Sequence, residues 1–357
     1  MCGAGRMCKG VVRIDLSFHN LLCHDRVYRT PMSSRDQTFL KSVLKWGLFV
    51  GCVLYLVVLL CVVISNFSLF NPNWPFGLFA SFTPTLLFAL PFVLVIAVKL
   101  SRRLAGLITL IAVLAFGRFV TFDHSIKPSG GSCVDAICTT IVMTNLRQEK
   151  SAVQALADLL DGGFDILVLT EVPRGLTKVD LENQFGGTML QPDGGNPSLA
   201  SPLAVISRLP QERYSTTRTL LDQGERYPRG ILDVRPAETR STRPQILGLH
   251  PVWPKTASRM QGRNDYLNAV AQMRVGENFV MIGDFNLTPW EPFFSTLPGR
   301  RAGNPRWIRT WNANDPVQRI TIDHALIGSA LELVETEVMQ DVGSDHYPIR
   351  VVVKAKG

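Results

Sequence analysis

The chain has 357 residues, enough for two or three structural units. Hydrophobic residues make up 46% and the mean hydropathy is +0.15, high for a soluble protein, so membrane segments are the first expectation. The net charge is +8, yet 12 Lys and Arg against 4 Asp and Glu precede His124, while His124–Gly357 holds 25 of each. The C-terminal part is therefore neutral, which argues against the basic face of a non-specific nuclease.

The first 35 or so residues show no clear periodicity. They read as a disordered cytoplasmic tail (1–45) or as an over-extended start, since Met7 and Met32 are both available. His19 and His24 in this tail read as incidental. No charge occurs among the 53 residues from Trp46 to Val98. Three apolar runs, about 46–65, 76–98 and 104–122, each approach the roughly 20 residues a helix needs to cross a bilayer. Pro84 and Pro91 predict a kinked second helix. The first run is too long and starts too late for a cleaved signal peptide. Arg26, Arg29, Arg35, Lys41 and Lys45 precede the first span, and Lys99, Arg102 and Arg103 lie between the second and third. By the positive-inside rule the N-terminus is cytoplasmic and the C-terminal domain lies outside, in a multi-pass protein of the cell membrane. Arg118, near the outer end of the third run, fits the rule less well.

A linker follows at 123–136 and a domain at 137–357. Five of the seven cysteines lie in the N-terminal part, and no metal-ligand spacing appears. Cys133 and Cys138 form a disulfide if this region is extracytoplasmic, or are two thiols if it is not. Beyond the linker, strands and helices alternate. Strands are predicted at Ile137–Thr144, Phe164–Thr170, Leu203–Ser207, Ile231–Val234, Ile246–Leu249, Phe279–Ile282, Ile320–Ile327 and Ile349–Val353. Helices are predicted at Gln148–Leu160 and Ser258–Arg274. The mixture indicates an α/β domain with more than one sheet layer.

Apolar strands in this domain end abruptly in groups that carry chemistry. Asn145 closes the first strand, Glu171 follows LVLT, and His250 follows ILGL. Asp284 and Asn286 stand in GDFN, two residues apart and so on one side of an extended segment. Asp323 stands in RITIDHAL, and Asp345 and His346 in GSDHYP before the last strand. An Asp after a strand is by itself usually a turn or a cap. The set as a whole, in this order, resembles the endonuclease/exonuclease/phosphatase superfamily, which includes DNase I-like nucleases, inositol polyphosphate 5-phosphatases and neutral sphingomyelinases. The three-span layout is similar to its bacterial membrane subgroup, the VanJ-like proteins.

The resemblance implies a four-layered α/β sandwich, two packed β-sheets flanked by helices, and a divalent metal, Mg²⁺ or Mn²⁺. It implies Glu171 as main metal ligand, with Asn145 and Asp345 helping to hold the metal or its waters. Asp284 would orient or deprotonate the attacking water, and Asn286 would bind phosphate. His346 with Asp323 would form a dyad, and His250 would stabilise charge on the transferring phosphoryl group. A hard ion needs only one or two carboxylates because it keeps several waters. The implied activity is hydrolysis of phosphoester or pyrophosphate bonds, with envelope lipids as the substrate class and nucleic acid less favoured. An extracytoplasmic nuclease and a non-catalytic binding protein that kept the fold are the competing readings. His324 reads as structural because it points away from Asp323 on a strand. Arg208 and Arg229 read as solvated strand-end charges, and Trp253, Trp290, Trp307 and Trp311 as core or surface rather than as a lipid-facing rim.

Overall fold

The computed structural model describes residues 34–67, 74, 76–121, 125–131, 133, 138–161, 163–190, 203–209, 214–221, 229–238, 241–273, 276–303, 309–315 and 320–356. The expectations for Met7, His19, His24, Met32, the Arg118 side chain and Trp307 lie outside these residues. The chain divides into two units, 1–48 and 49–357. The described part of the first, residues 34–48, is helical and exposed.

The apolar half forms four helices: α1 (Ser34–Phe67), α2 (Phe76–Ser81), α3 (Thr83–Leu100) and α4 (Arg102–Thr121). The expected span at 76–98 is not one kinked helix. It breaks at Phe82 into α2 and α3, because Pro84 sits in the first turn of α3, lacks an N–H and tolerates only a helix start. α1 begins 12 residues before the expected span because its polar start continues the same helix. Ser101 alone separates α3 from α4; its extended backbone turns the chain and its Oγ accepts the Leu104 N–H.

Within the second unit, Leu59, Val62, Ala97, Ile108, Ala112 and Ala115 form a small-residue-rich seam between α1, α3 and α4. The Tyr55 hydroxyl donates to the Leu86 carbonyl at 2.6 Å. The outward faces expose Phe88, Phe92, Val95, Leu110 and Val113. Among the described residues, two helical stretches, Ser34–Ser65 and Thr83–Leu100, are long and apolar enough to cross a membrane. The third expected span coincides with α4, whose last four side chains are not described.

The remainder is two packed mixed sheets flanked by helices. The first sheet contains β1 (Ser125–Ile126), β6 (Tyr214–Leu221), β7 (Arg229–Pro236), β8 (Gln245–Leu249), β9 (Phe279–Asp284), β10 (Arg300–Ala302) and β11 (Asp323–Ile327), ordered β1-β10-β11-β9-β8-β7-β6. The second contains β2 (Cys138–Asn145), β3 (Ile166–Thr170), β4 (Thr188–Met189), β5 (Ala204–Ser207), β12 (Leu331–Val338) and β13 (Ile349–Ala355), ordered β12-β13-β2-β3-β5-β4.

Period-two alternation decides the layers. Ile141, Met143, Ile166 and Val168 face Ile246, Val280 and Ile282 in the core between the sheets. Val142, Leu167 and Leu169 face outward against α5 (Lys150–Leu160) and α6 (Lys178–Phe185). On the far side, Leu247, Leu249 and Met281 pack on Tyr266, Leu267 and Val270 of α7 (Ala257–Gln272). Four layers result, as expected.

The linker is the main departure. Ser125–Ile126 is not a free tether but a parallel edge strand, with Ser125 opposite Arg301, and the Ser129 N–H donates to the Leu333 carbonyl. Ile126 packs on the core between the sheets. A strand of two residues has no periodicity to read, so the sequence could not show it. Cys133 and Cys138 form a disulfide where the chain enters β2.

Candidate active site

Strand register decides which side chains meet. β2 and β3 are parallel with Asn145 beside Thr170, so Asn145 and Glu171 leave adjacent strand ends together. β8 and β9 are parallel with Leu249 beside Gly283, so His250 emerges next to Asp284. β9 and β11 are antiparallel, and Asp284 stands directly across from Asp323. The segment before β13 brings Asp345 and His346, and His346 bridges to Trp311. Ends of both sheets thus open on one cavity of about 530 Å³, lined by Glu171, His250, Asp284, Asn286, Asp345 and His346. Asn145 and Asp323 lie against that lining: Asn145 Nδ2 donates to Asp284 Oδ2 at 3.0 Å, and Asp323 accepts from His346 Nδ1 at 2.9 Å.

Local backbone fixes these ends. Glu171 and Asn286 adopt left-handed conformations, with φ of +49° and +48°. Asn tolerates that region, but Glu rarely enters it, and such residues concentrate at functional sites. Asp284 Oδ1 accepts the Asn286 N–H at 2.8 Å, which closes the GDFN turn. The glycine of that motif is sterically required: a Cβ at Gly283 would stand 2.0 Å from the Leu249 carbonyl oxygen. Ser344 ties the segment before β13 to the end of β2, donating to the Asn145 carbonyl at 2.7 Å and accepting the His346 N–H.

The buried charges form an alternating array. Asp284 Oδ2 lies 3.9 Å from both His250 Nε2 and His346 Nε2. Burial, reinforced by the Asp323 charge, lifts the Asp284 carboxyl to about 6, with the two imidazoles working against the rise. Burial also disfavours a charged His346. The Asp323 charge and hydrogen bond, with Asp284 and Asp345, outweigh it and raise the imidazole to about 9. For Glu171, burial again opposes ionisation, but His250, Asn145 and His346 prevail and hold the carboxyl at about 2. At neutral pH the site therefore presents an ionised Glu171, an imidazolium at His346 and a carboxylate able to exchange a proton at Asp284.

Arg229 fixes the tautomer of His250. Its Nη1 lies 3.1 Å from His250 Nδ1. A guanidinium only donates, so Nδ1 accepts and the ring proton sits on Nε2, toward Glu171 Oε1 at 3.5 Å. Arg229 was read from sequence as a solvated charge; the pairing of β7 with β8 places it here instead.

The donor set suits a hard cation. Glu171 and Asp345 both reach the cavity and supply oxygen ligands of the kind Mg²⁺ or Mn²⁺ takes. Asn145 offers less in this orientation: its Oδ1 already accepts the Arg147 N–H at 2.9 Å and its amide nitrogen faces Asp284. Asp284, Asp323 and His346 also place potential ligand atoms within 4.8 Å of one another. That trio is the poorer metal site, because Asp323 and His346 Nδ1 are spent on each other.

The family model for the endonuclease/exonuclease/phosphatase family matches residues 143–346, which span all eight of these residues. The chain belongs to this family. Among solved structures, the endonuclease/exonuclease/phosphatase from Beutenbergia cavernae aligns at 16% identity over 62% of this chain and 72% of its own, with a TM-score of 0.43. The mannosyl-6-phosphatase of Bacteroides thetaiotaomicron aligns at 14% identity over 60% of this chain and 99% of its own, with a TM-score of 0.39. The inositol polyphosphate 5-phosphatase domain of spsynaptojanin aligns at 13% identity over 62% and 85%, with a TM-score of 0.38. No curated protein matches the chain.

Other participants have no signature of their own. Arg147 lies 3.8 Å from Asp345, whose Oδ2 also accepts from Trp311 Nε1 at 3.3 Å. Trp253 stacks obliquely on Trp311, with ring centroids 6.4 Å apart, and both line the cavity. Trp253 is exposed, as a surface reading expects, and segments distant in sequence bring both to the cavity wall. His324 does lie on the face away from Asp323: its Nε2 contacts the Leu287 carbonyl at 2.8 Å, and Phe285 and Phe294 pack edge-on against it.

Proposed function

We propose that the chain is a divalent-metal-dependent phosphoesterase, held in a membrane by its apolar helices and acting on phosphate or pyrophosphate groups of lipids. The observation that carries the reading is Asp284 held 3.9 Å from each of two imidazoles, His250 and His346. Asp284, lifted toward neutrality, accepts the proton of a water as that water's oxygen attacks phosphorus. The imidazolium of His346 and the Nε2–H of His250 donate to phosphoryl oxygens as negative charge builds on them. The bond from phosphorus to the leaving oxygen breaks, and that oxygen takes up a proton from solvent, to which Asp284 later returns the one it accepted. Asp323 holds the His346 ring in position and keeps it charged. A divalent ion bound at Glu171 and Asp345 would polarise the phosphoryl group and offset its charge.

The lipid substrate rests on three supports. The apolar helices expose broad hydrophobic faces. Leu78 and Phe82 join the cavity wall beside the catalytic groups. The charge of the C-terminal part is balanced, unlike that of a protein that grips a nucleic-acid backbone. The Cys133–Cys138 disulfide and the distribution of Lys and Arg support an extracytoplasmic site on the cell membrane.

The test is full-length protein in detergent with Mg²⁺ or Mn²⁺, assayed on bis-p-nitrophenyl phosphate, a polyprenyl pyrophosphate and plasmid DNA. Turnover of the ester or pyrophosphate that EDTA abolishes and added metal restores is expected. Cleavage of DNA alone would replace this reading with a nuclease. No metal-dependent turnover of any of the three would overturn it.

A further inference from the structure

The corner between α2 and α3 is packed into the catalytic loop, not merely tethered near it. Ser81, the last residue of α2, is 5% exposed. Its Oγ donates to Glu291 Oε1 at 3.2 Å and accepts from Thr288 Oγ1 at 3.2 Å. Glu291 Oε1 also accepts the Thr288 N–H, and Glu291 Oε2 accepts from Arg263 Nη2 at 2.8 Å. The two charged side chains are 4% and 1% exposed. Arg263 Nη1 then donates to the backbone carbonyl of Asn286 at 2.7 Å. Asn286 is the left-handed residue whose N–H holds Asp284. One turn earlier, Gly77 approaches α7 so closely that a Cβ there would lie 2.8 Å from Met260 Cε.

A pair buried this deeply is costly to desolvate, and apolar packing of equal volume would stabilise the fold at least as well. Stability therefore does not account for it. The geometry does: the guanidinium fork holds the carbonyl of left-handed Asn286 and the carboxylate of Glu291 together, and that carboxylate accepts from a serine 210 positions earlier, beside the direct Thr288–Ser81 hydrogen bond. We propose that Ser81, Glu291 and Arg263 are positioning residues, through which the docked helix corner sets the backbone of Asn286 and the aim of Asp284. The apolar helices are on this account a structural part of the active site. The idea rests on the phosphoesterase reading for its kinetic consequence, but the docking itself is testable without turnover.

The experiment uses the full-length protein in detergent. Ser81→Ala removes the link and Gly77→Leu drives the corner off α7. Adding Met260→Ala to Gly77→Leu reopens the space. Hydrogen exchange is measured over 284–291 and over β13, with kcat and KM on bis-p-nitrophenyl phosphate. In both single variants, residues 284–291 should lose protection while β13 keeps it. kcat should fall about ten- to a hundredfold with KM changed less than threefold, as expected when reacting groups are misplaced by an ångström or less. Met260→Ala should restore both readouts in the Gly77→Leu background. Unchanged exchange at 284–291 would overturn the docking, whether or not the protein turns over any ester. Loosened exchange with unchanged kcat would reduce the network to packing and overturn the positioning role. Absence of turnover in the wild-type protein would count against the phosphoesterase reading, and the exchange result would still decide the docking.

Discussion

Tyr266→Phe removes one oxygen from the floor of the site and leaves the ring. Tyr266 is fully buried on α7. Its hydroxyl donates to the Gly230 carbonyl at 2.9 Å and accepts the His250 N–H at 3.3 Å. Burial pushes the phenol above its ordinary pKa, so the hydroxyl stays protonated throughout the working range. It thereby joins β7 to the residue that leaves β8 for the active site. Phenylalanine deprives the His250 N–H of this acceptor inside the protein. Leaving a buried group without its partner costs about 1–3 kcal/mol. The longer of the two bonds points to the lower half of that range. For a domain of this size each kcal/mol lowers Tm by roughly 2–4 °C, so a fall of about 2–8 °C is expected. His250 loses its backbone anchor, so kcat should fall several-fold with little change in KM. Thermal unfolding by near-UV circular dichroism and steady-state kinetics on a small phosphodiester check the two parts. A Tm within about 1 °C of wild type would refute the claim that this hydroxyl ties the sheet to the site.

Other consequences are equally direct. Gly283→Ala places a Cβ 2.0 Å from the Leu249 carbonyl oxygen, between two central parallel strands, so overpacking should cost about 3 kcal/mol or more and reduce the yield of folded protein; near-normal stability in chemical unfolding would show that the strands part easily there. The raised His346 value, about 9 against an ordinary 6.5, means that the native state binds its proton more tightly than the unfolded state does. The stabilisation is complete below pH 6.5 and is lost as pH rises to 9, at most about 3 kcal/mol in metal-free protein. Asp323→Asn should flatten that fall, as unfolding in denaturant at pH 6.5 and 9 would reveal; an identical slope in both proteins would contradict the dyad. Glu171→Gln keeps the shape of a cavity-lining ligand and removes its charge, so Mn²⁺ affinity measured by electron paramagnetic resonance should fall at least tenfold, and an unchanged affinity would place the ion elsewhere.

The sequence by itself determined the layers and the chemical inventory. Continuous apolar stretches in TTIVMTN, FVMIGD and ILVLT reflect burial of both strand faces in two stacked sheets, and that pattern is local. The eight polar residues were legible because each stands at or close to one end of an apolar strand, where the backbone enters or leaves the sheet. Edge strands were not: YSTTRTLL of β6 is rich in Thr and part exposed, and β1 is two residues long, so neither carries a strong burial signal. What each polar residue does was decided by register and by contacts far apart in the chain. Asp284 faces Asp323 across 39 positions, and Arg229 sets the proton of His250 only because β7 lies beside β8. The same holds for the helices. Hydropathy marks 76–98 as apolar throughout, but only tertiary packing shows Ser81 turned inward to Glu291. A buried serine on an apolar helix looks like any other small residue until its partner, 210 residues on, is in place.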